Sequence, residues 1–342
     1  MGYRSGLLSP DRAPRANRAT IRAQHGIPRK PVMKTLQLWP ILSLEPSEGE
    51  LVAFDIGPDR AVYLLHALKP LDYRREDKGA SFAKVRPATP QRYRAQAWLD
   101  GAQLLDLCID NEPYNVHALQ PLGDDLLLVC ARSTSRGGDS DLNGRVYSRD
   151  GRLLDEIALG DAIEHVQTTA RGEIWLGYFD EGVFGDHPLS AHGLVACDRQ
   201  GTPVFRYQPD APLDTIADCY ALNVASHNEA WTCYYTDFPL VQLRDHRIVR
   251  HWSVPVYGAH AFAVYRDRAL FAGGYDARLA YTLLRLDDGP GASVMATFKL
   301  LDEHGEPLQA QLVRGRGDTL YLYRDDRVYA CDIHQAISAF SN

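Results

Sequence analysis

After Asn115 one pattern keeps returning: a polar or aromatic residue leads a short apolar segment, a Gly, Asp or Asn turn follows, and a second segment carries aromatics. His117-Ala118-Leu119 runs to Leu126-Leu127-Leu128, and His165-Val166-Gln167 crosses Gly172 to Ile174-Trp175-Leu176-Gly177-Tyr178. Tyr220-Ala221-Leu222 crosses Asn228 to Ala230-Trp231-Thr232-Cys233-Tyr234, while His260-Ala261-Phe262 and Gln309-Ala310-Gln311 open two more units. The starts lie 40–55 residues apart, the period of a four-stranded propeller blade with variable loops.

The outer half of a unit is readable as well. Gly144–Asp155 places two strand-like segments around Asp150-Gly151, and Leu194–Phe205 repeats the arrangement around Gln200-Gly201. Such a strand pair cannot bury both faces alone, so the units must stack around an axis. Upstream, Leu51–Phe54, Ala61–Leu65, Ala95–Leu99 and Leu104–Leu107 make a further unit across a charged insertion at 69–92. The chain is therefore expected to be an all-β, six-bladed β-propeller, with five or seven blades as alternatives because the first unit is the least regular. Residues 309–340 offer only three strands, so the segment near 35–44 is expected to supply the fourth and close the ring.

This repeat, with its Gly172-Glu173-Ile174-Trp175 type of second strand, resembles the six-bladed propeller class that includes the gluconolactonase and senescence-marker-protein family and the NHL-repeat proteins. The resemblance covers most of 45–340 and implies the propeller fold. In the lactonase family it also implies a divalent metal held by Glu, Asn and Asp where the inner strands begin. Here those places hold Glu164 and His165, Tyr220, and His260, so the Asn and Asp are unmatched and the chemistry does not carry over.

Composition fits a globular chain rich in strands: 342 residues, 45% hydrophobic, with 18 Tyr against 10 Phe and 5 Trp. The net charge of −7 is uneven. Residues 1–32 carry seven basic side chains (Arg4, Arg12, Arg15, Arg18, Arg22, Arg29, Lys30) against Asp11 alone, which leaves the rest strongly acidic. An acidic body repels a phosphate backbone, so no nucleic-acid partner is expected. The Arg-, Ala- and Pro-rich stretch 1–32 reads as a disordered basic leader, and 33–342 as one propeller domain. No segment has the length of a membrane span. Six dispersed cysteines without a CxxC, several inside apolar runs, read as reduced thiols, so a cytoplasmic location and no membrane partner are expected.

Side chains at the starts of inner strands converge on one mouth of a propeller's channel. His117, His165 and His260 occupy equivalent repeat positions in three units, with Glu164, Tyr220, Gln309 and Gln311 at or beside the same level. Three imidazoles suit a single divalent metal ion, or proton shuttling near neutral pH. They equally suit half-buried residues hydrogen-bonded to a neighbouring blade. A second recurring feature follows each second strand: Tyr178 with Asp180, Tyr235 with Asp237, Tyr275 with Asp276, and Tyr323 with Asp325. An aromatic and an acid repeated around the rim suit a cationic or sugar-like ligand.

The chain contains no GxGxxG, P-loop, GxSxG or HExxH motif. The leading expectation is a binding platform for a small polar molecule or a protein partner, with Tyr178, Asp180, Tyr220, Asp237, Tyr275, Asp276 and Gln311 as ligand-binding residues. The alternative is a metal-dependent hydrolase or lyase with His117, His165 and His260 as metal ligands and Glu164 or Asp180 as catalytic base.

Overall fold

The computed structural model describes residues 33–75, 81–136 and 139–341, so the expected leader 1–32 lies outside the described residues. Six sheets of four or more strands radiate from an axis. The innermost strands are Glu50–Ile56, Ala118–Leu122, Ile163–Thr168, Asp218–Val224, Ala261–Tyr265 and Leu312–Arg316, in blades one to six. Each touches the next, and the sixth touches the first, so the ring is closed. The protein is a six-bladed β-propeller.

Alternation explains the burial. Second strands such as Leu126-Leu127-Leu128 and Ile174-Trp175-Leu176 are buried on both faces, because each blade packs between two neighbours. Leu122, Leu127 and Val129 of blade two meet Ile174, Leu176 and Val195 of blade three in one such layer, and the same packing recurs around the ring. Outer strands face water, as the exposed Leu153 and Leu154 of blade two show.

The N-terminal segment does more than the repeat led us to expect. Pro40–Ser43 pairs antiparallel with Arg327–Asp332 and completes blade six, as anticipated for 35–44. Met33–Gln37 instead lies parallel to Ala292–Leu301 and adds a fifth strand to blade five. A terminal helix, Ile333–Ser341, is a further addition: Ile333 and Ala336 bury against the same core as Leu38, and Lys34 Nζ donates to the helix's last carbonyls at Ala339 and Phe340. One segment thus staples the first and last parts of the chain. Gln309–Gln311, expected to begin the last inner strand, lies in the loop before it; the strand starts at Leu312.

All six cysteines are free; five are buried and Cys108 is exposed. No helix among the described residues is long and apolar enough to cross a membrane.

The closure makes a checkable demand. Leu42 points into the core shared by blades six and one, whereas Ile41 beside it is 49% exposed. Leu42→Ala should cost about 2–3 kcal/mol of stability in denaturant titration. Ile41→Ala should change it by less than about 0.5 kcal/mol. Equal effects at the two positions would mean that this strand does not hold the ring shut.

Candidate functional site

The two ends of the channel differ. At one end the first and second strands of each blade join through tight turns, such as Gly57–Ala61 and Thr169–Glu173. There the channel is shut by a polar network. Arg316 donates to Gln167 Oε1 at 3.1 Å and to the Thr168 carbonyl at 2.5 Å, linking blade six to blade three. Gln167 donates to the Leu222 and Gly315 carbonyls, and Asn223 to those of Phe262 and Gly317. Gly315 permits this approach, since a Cβ there would lie 2.0 Å from the Phe262 carbonyl oxygen. The other end carries the long connections, including 179–193, and is the mouth.

Four blades place polar side chains in that mouth: Glu164 and His165 from blade three, Asp218 and Tyr220 from blade four, His260 from blade five, and Arg314 from blade six. Regular alternation would send Glu164 and His165 to opposite faces. A β-bulge lies there instead, since Ile163 pairs with Tyr178 and His165 with Gly177, so one residue is inserted. The next inner strand shifts register in the same place, between Asp218 and Ala221. Gly177 lets the two blades close up, as a Cβ there would stand 2.6 Å from Cys219 Sγ.

Both acids that face the opening are strongly perturbed. Burial pushes Glu164 up to about 7, against the lowering pull of Arg314, and among the described residues its buried Oε2 has no hydrogen-bond partner. Asp218 is also pushed up to about 7, by burial first and then by the negative charges of Glu164 and Asp180. A carboxyl that titrates near neutrality can give or take a proton, and two such groups side by side attract a cation.

The histidines behave differently from the near-neutral shuttles considered above. Burial, assisted by Arg314, lowers His165 to about 3, and its Nε2 lies 3.0 Å from the Tyr220 carbonyl. Being neutral there, the ring donates that bond. His117 falls to about 4 through burial and the nearby Arg132, and its Nδ1 accepts the amide of Ala131. His260 is lowered by burial and then by Arg314 and Arg278, yet it is solvent-exposed, as befits a side chain in a concave wall. Among the described residues no three of His, Cys, Asp and Glu are grouped to hold a metal ion. His117, His165 and His260 are thus not brought together as one such group.

Aromatics line the side of the mouth formed by blades four and five. Tyr220 stacks on His260 at 5.2 Å and meets Phe238 edge-on at 4.9 Å, while its hydroxyl pairs with that of Tyr275. Phe238 anchors the group, with Tyr235, Tyr257 and Tyr275 edge-on around it. Tyr257 and Tyr275 keep about half their surface in water, at 49% and 53%. Gly258 adopts φ +74°, and a Cβ there would strike the Tyr275 ring at 2.5 Å.

Other expected ligand residues are placed otherwise. Tyr178 is fully buried and donates its hydroxyl to the Leu159 carbonyl, so it packs between blades two and three and presents nothing to a ligand. Gln311 is committed to Asp325: its Nε2 donates to Oδ1, and its Oε1 accepts the Asp325 amide. Asp180, Asp237 and Asp276 are exposed on the rim, and of these Asp180 acts on Asp218 through its charge. Asp218 and Arg314 escaped the sequence reading. A signal for Arg314 existed in Leu312-Val313-Arg314-Gly315-Arg316, where two arginines two residues apart occupy an inner strand.

The description of the YxzG family matches residues 191–331, from the third blade into the sixth. No curated protein matches the chain. Similar solved structures include the WD40 β-propeller domain of Doa1, with 6% identity, a TM-score of 0.44, and coverage of 90% of this chain and 96% of that one. A gluconolactonase from Xanthomonas campestris shares 12% identity over 85% of this chain and 99% of its own, with a TM-score of 0.40. Virginiamycin B lyase from Staphylococcus aureus, in a catalytically inactive form with quinupristin, shares 11% over 79% and 99%, with a TM-score of 0.37. These likenesses concern the propeller alone and bear on no residue of the mouth.

The raised acids set the sign of a pH effect. In the folded state Glu164 holds its proton up to about 7, whereas its ordinary value is 4.5, so charging it costs stability as pH rises through that window. Glu164→Gln should therefore stabilise the protein at pH 8 by about 1–2 kcal/mol, allowing for solvent screening, and not at pH 4. Thermal melts at the two pH values decide this; an equal effect at both would show that Glu164 is not held protonated by its surroundings.

Proposed function

We propose that this propeller is a binding platform whose channel mouth takes a small organic cation, an amine or ammonium compound. The observation that carries the reading is the Glu164–Asp218 pair: two carboxyls from neighbouring blades, each raised toward neutrality, one with a buried oxygen that meets no donor. Such a pair is short of positive charge and of N–H groups. An ammonium supplies both, donating to Glu164 Oε2 and offsetting the burial that keeps a proton on each acid. Tyr220, Tyr257 and Tyr275 offer ring faces and edges to the organic part, and a cation desolvated against them gains about 1–2 kcal/mol. The closed far end makes the mouth a blind cup, so a ligand enters and leaves on one side.

Calorimetric titration with alkylammonium ions and alcohols of the same shape tests this. The ammonium should bind at least about tenfold more tightly, because a charge-assisted hydrogen bond contributes about 1.5–3 kcal/mol. Affinity should rise as pH passes through 7 and the acids ionise, and Glu164→Gln or Asp218→Asn should lower it about tenfold or more. Alcohols that bind as well as ammonium ions, or an ammonium affinity indifferent to both substitutions, would overturn the reading.

A further inference from the structure

We propose that the ligand of the mouth is a zwitterion, its ammonium group held by Glu164 and Asp218 and its carboxylate by Arg314. The inference rests on the cation reading above and goes further, because it assigns the opposite end of the ligand.

Arg314 and Arg316 lie two residues apart on the inner strand of blade six and so share a face. Their circumstances differ. Arg316 is buried, with its guanidinium donating to Gln167 and Thr168 in the network that shuts the channel. Arg314, nearer the mouth, keeps 34% of its side-chain surface exposed. Its Nε reaches Asp55 Oδ1 only at 3.4 Å, and its Nη1 donates to the neighbouring Val313 carbonyl at 3.1 Å. A guanidinium carries five N–H donors in a fork that matches a carboxylate. Among the described residues Nη2 has no hydrogen-bond partner. Asp55 is buried, its Oδ2 accepts the Leu119 amide at 3.0 Å, and burial raises its carboxyl against the pull of Arg314.

The charge of Arg314 is felt by Glu164 and His165, from blade three across the mouth, and by His260, from blade five beside it. Of these three only Glu164 is an acid, and it makes no ion pair with Arg314 among the described residues, while its Oε2 stays without a donor. An acid and a guanidinium thus face one opening, act on each other through space, and do not close into contact. A ligand carrying both charges fills that gap and satisfies both ends. A carboxylate is the suitable anion, since one negative charge balances one guanidinium. A dianion would bring surplus negative charge beside Glu164, Asp218 and Asp180.

Calorimetry at pH 8 with ω-amino acids from glycine to 6-aminohexanoate, each set against the amine lacking its carboxylate, from methylamine to n-pentylamine, tests the proposal. One chain length should bind at least about tenfold more tightly than its amine, since hydrogen bonds to a charged group contribute about 1.5–3 kcal/mol. In Arg314→Gln the ratio should fall to one or below, because the substitution removes the carboxylate's partner and relieves repulsion of the ammonium. Amines that bind while no amino acid binds more tightly would overturn the zwitterion and leave the cation reading intact, as would a ratio unchanged in Arg314→Gln. Binding by neither series would overturn both. Should Arg314→Gln fail to fold, the unsubstituted protein's ratio still decides, and Arg314→Lys, which keeps the charge without the fork, should retain only part of it.

Discussion

Everything about the mouth depends on the hydrogen bonds that tie four blades together across the axis at the far end. Gln167, Asn223 and Arg316 reach over the channel to backbone carbonyls of blades three to six. Buried polar groups are tolerated only when such partners are found, and here inner strands that end at one level provide them. The result is mechanical as well as energetic. Blades linked across the centre cannot drift apart, so side chains one or two residues back along the same strands are held at defined positions. A propeller with an open channel would let water cross it; this one forms a cup whose floor is protein.

Above that floor the mouth gathers acids. Glu164 and Asp218 stand at the bulged starts of blades three and four, and burial leaves each reluctant to ionise. Elsewhere the protein pairs its acids readily. Glu112 is wholly buried yet accepts from Tyr147 and Arg145, and Asp161 takes a two-pronged contact from Arg132, which also reaches Glu181. Among the described residues Glu164 Oε2, at the mouth, has no donor, and the same holds for Glu173 Oε2 outside it.

What could be read from the sequence followed the physics of repetition. Period and turn chemistry are local and recur, so the six blades and the closing role of the segment near 35–44 were legible before any coordinates. Less legible were features that arise once per molecule. The parallel strand Met33–Gln37 and the helix Ile333–Ser341 belong to no repeat. Of the side chains gathered at the mouth, Glu164, His165, Tyr220, His260 and Tyr275 stand out in the sequence because they occupy equivalent places in successive units. Asp218 was missed because bulges break the register on which such equivalence relies. Tyr178 was misjudged for the opposite reason. Its repeat position matches the rim tyrosines, but its hydroxyl turns inward to the Leu159 carbonyl, a choice that only packing decides.

Neutral histidines have a definite part in this arrangement. An imidazolium at 165 would add a second cation beside Arg314 and weaken the electrostatic contrast between the guanidinium and the acid wall. Burial prevents that, and the bond to the Tyr220 carbonyl fixes which nitrogen carries the proton. The same bond ties the start of blade three to the start of blade four, where Tyr220 stacks on His260. Neutral and hydrogen-bonded across the seam between two blades, the ring adds no charge of its own to the mouth.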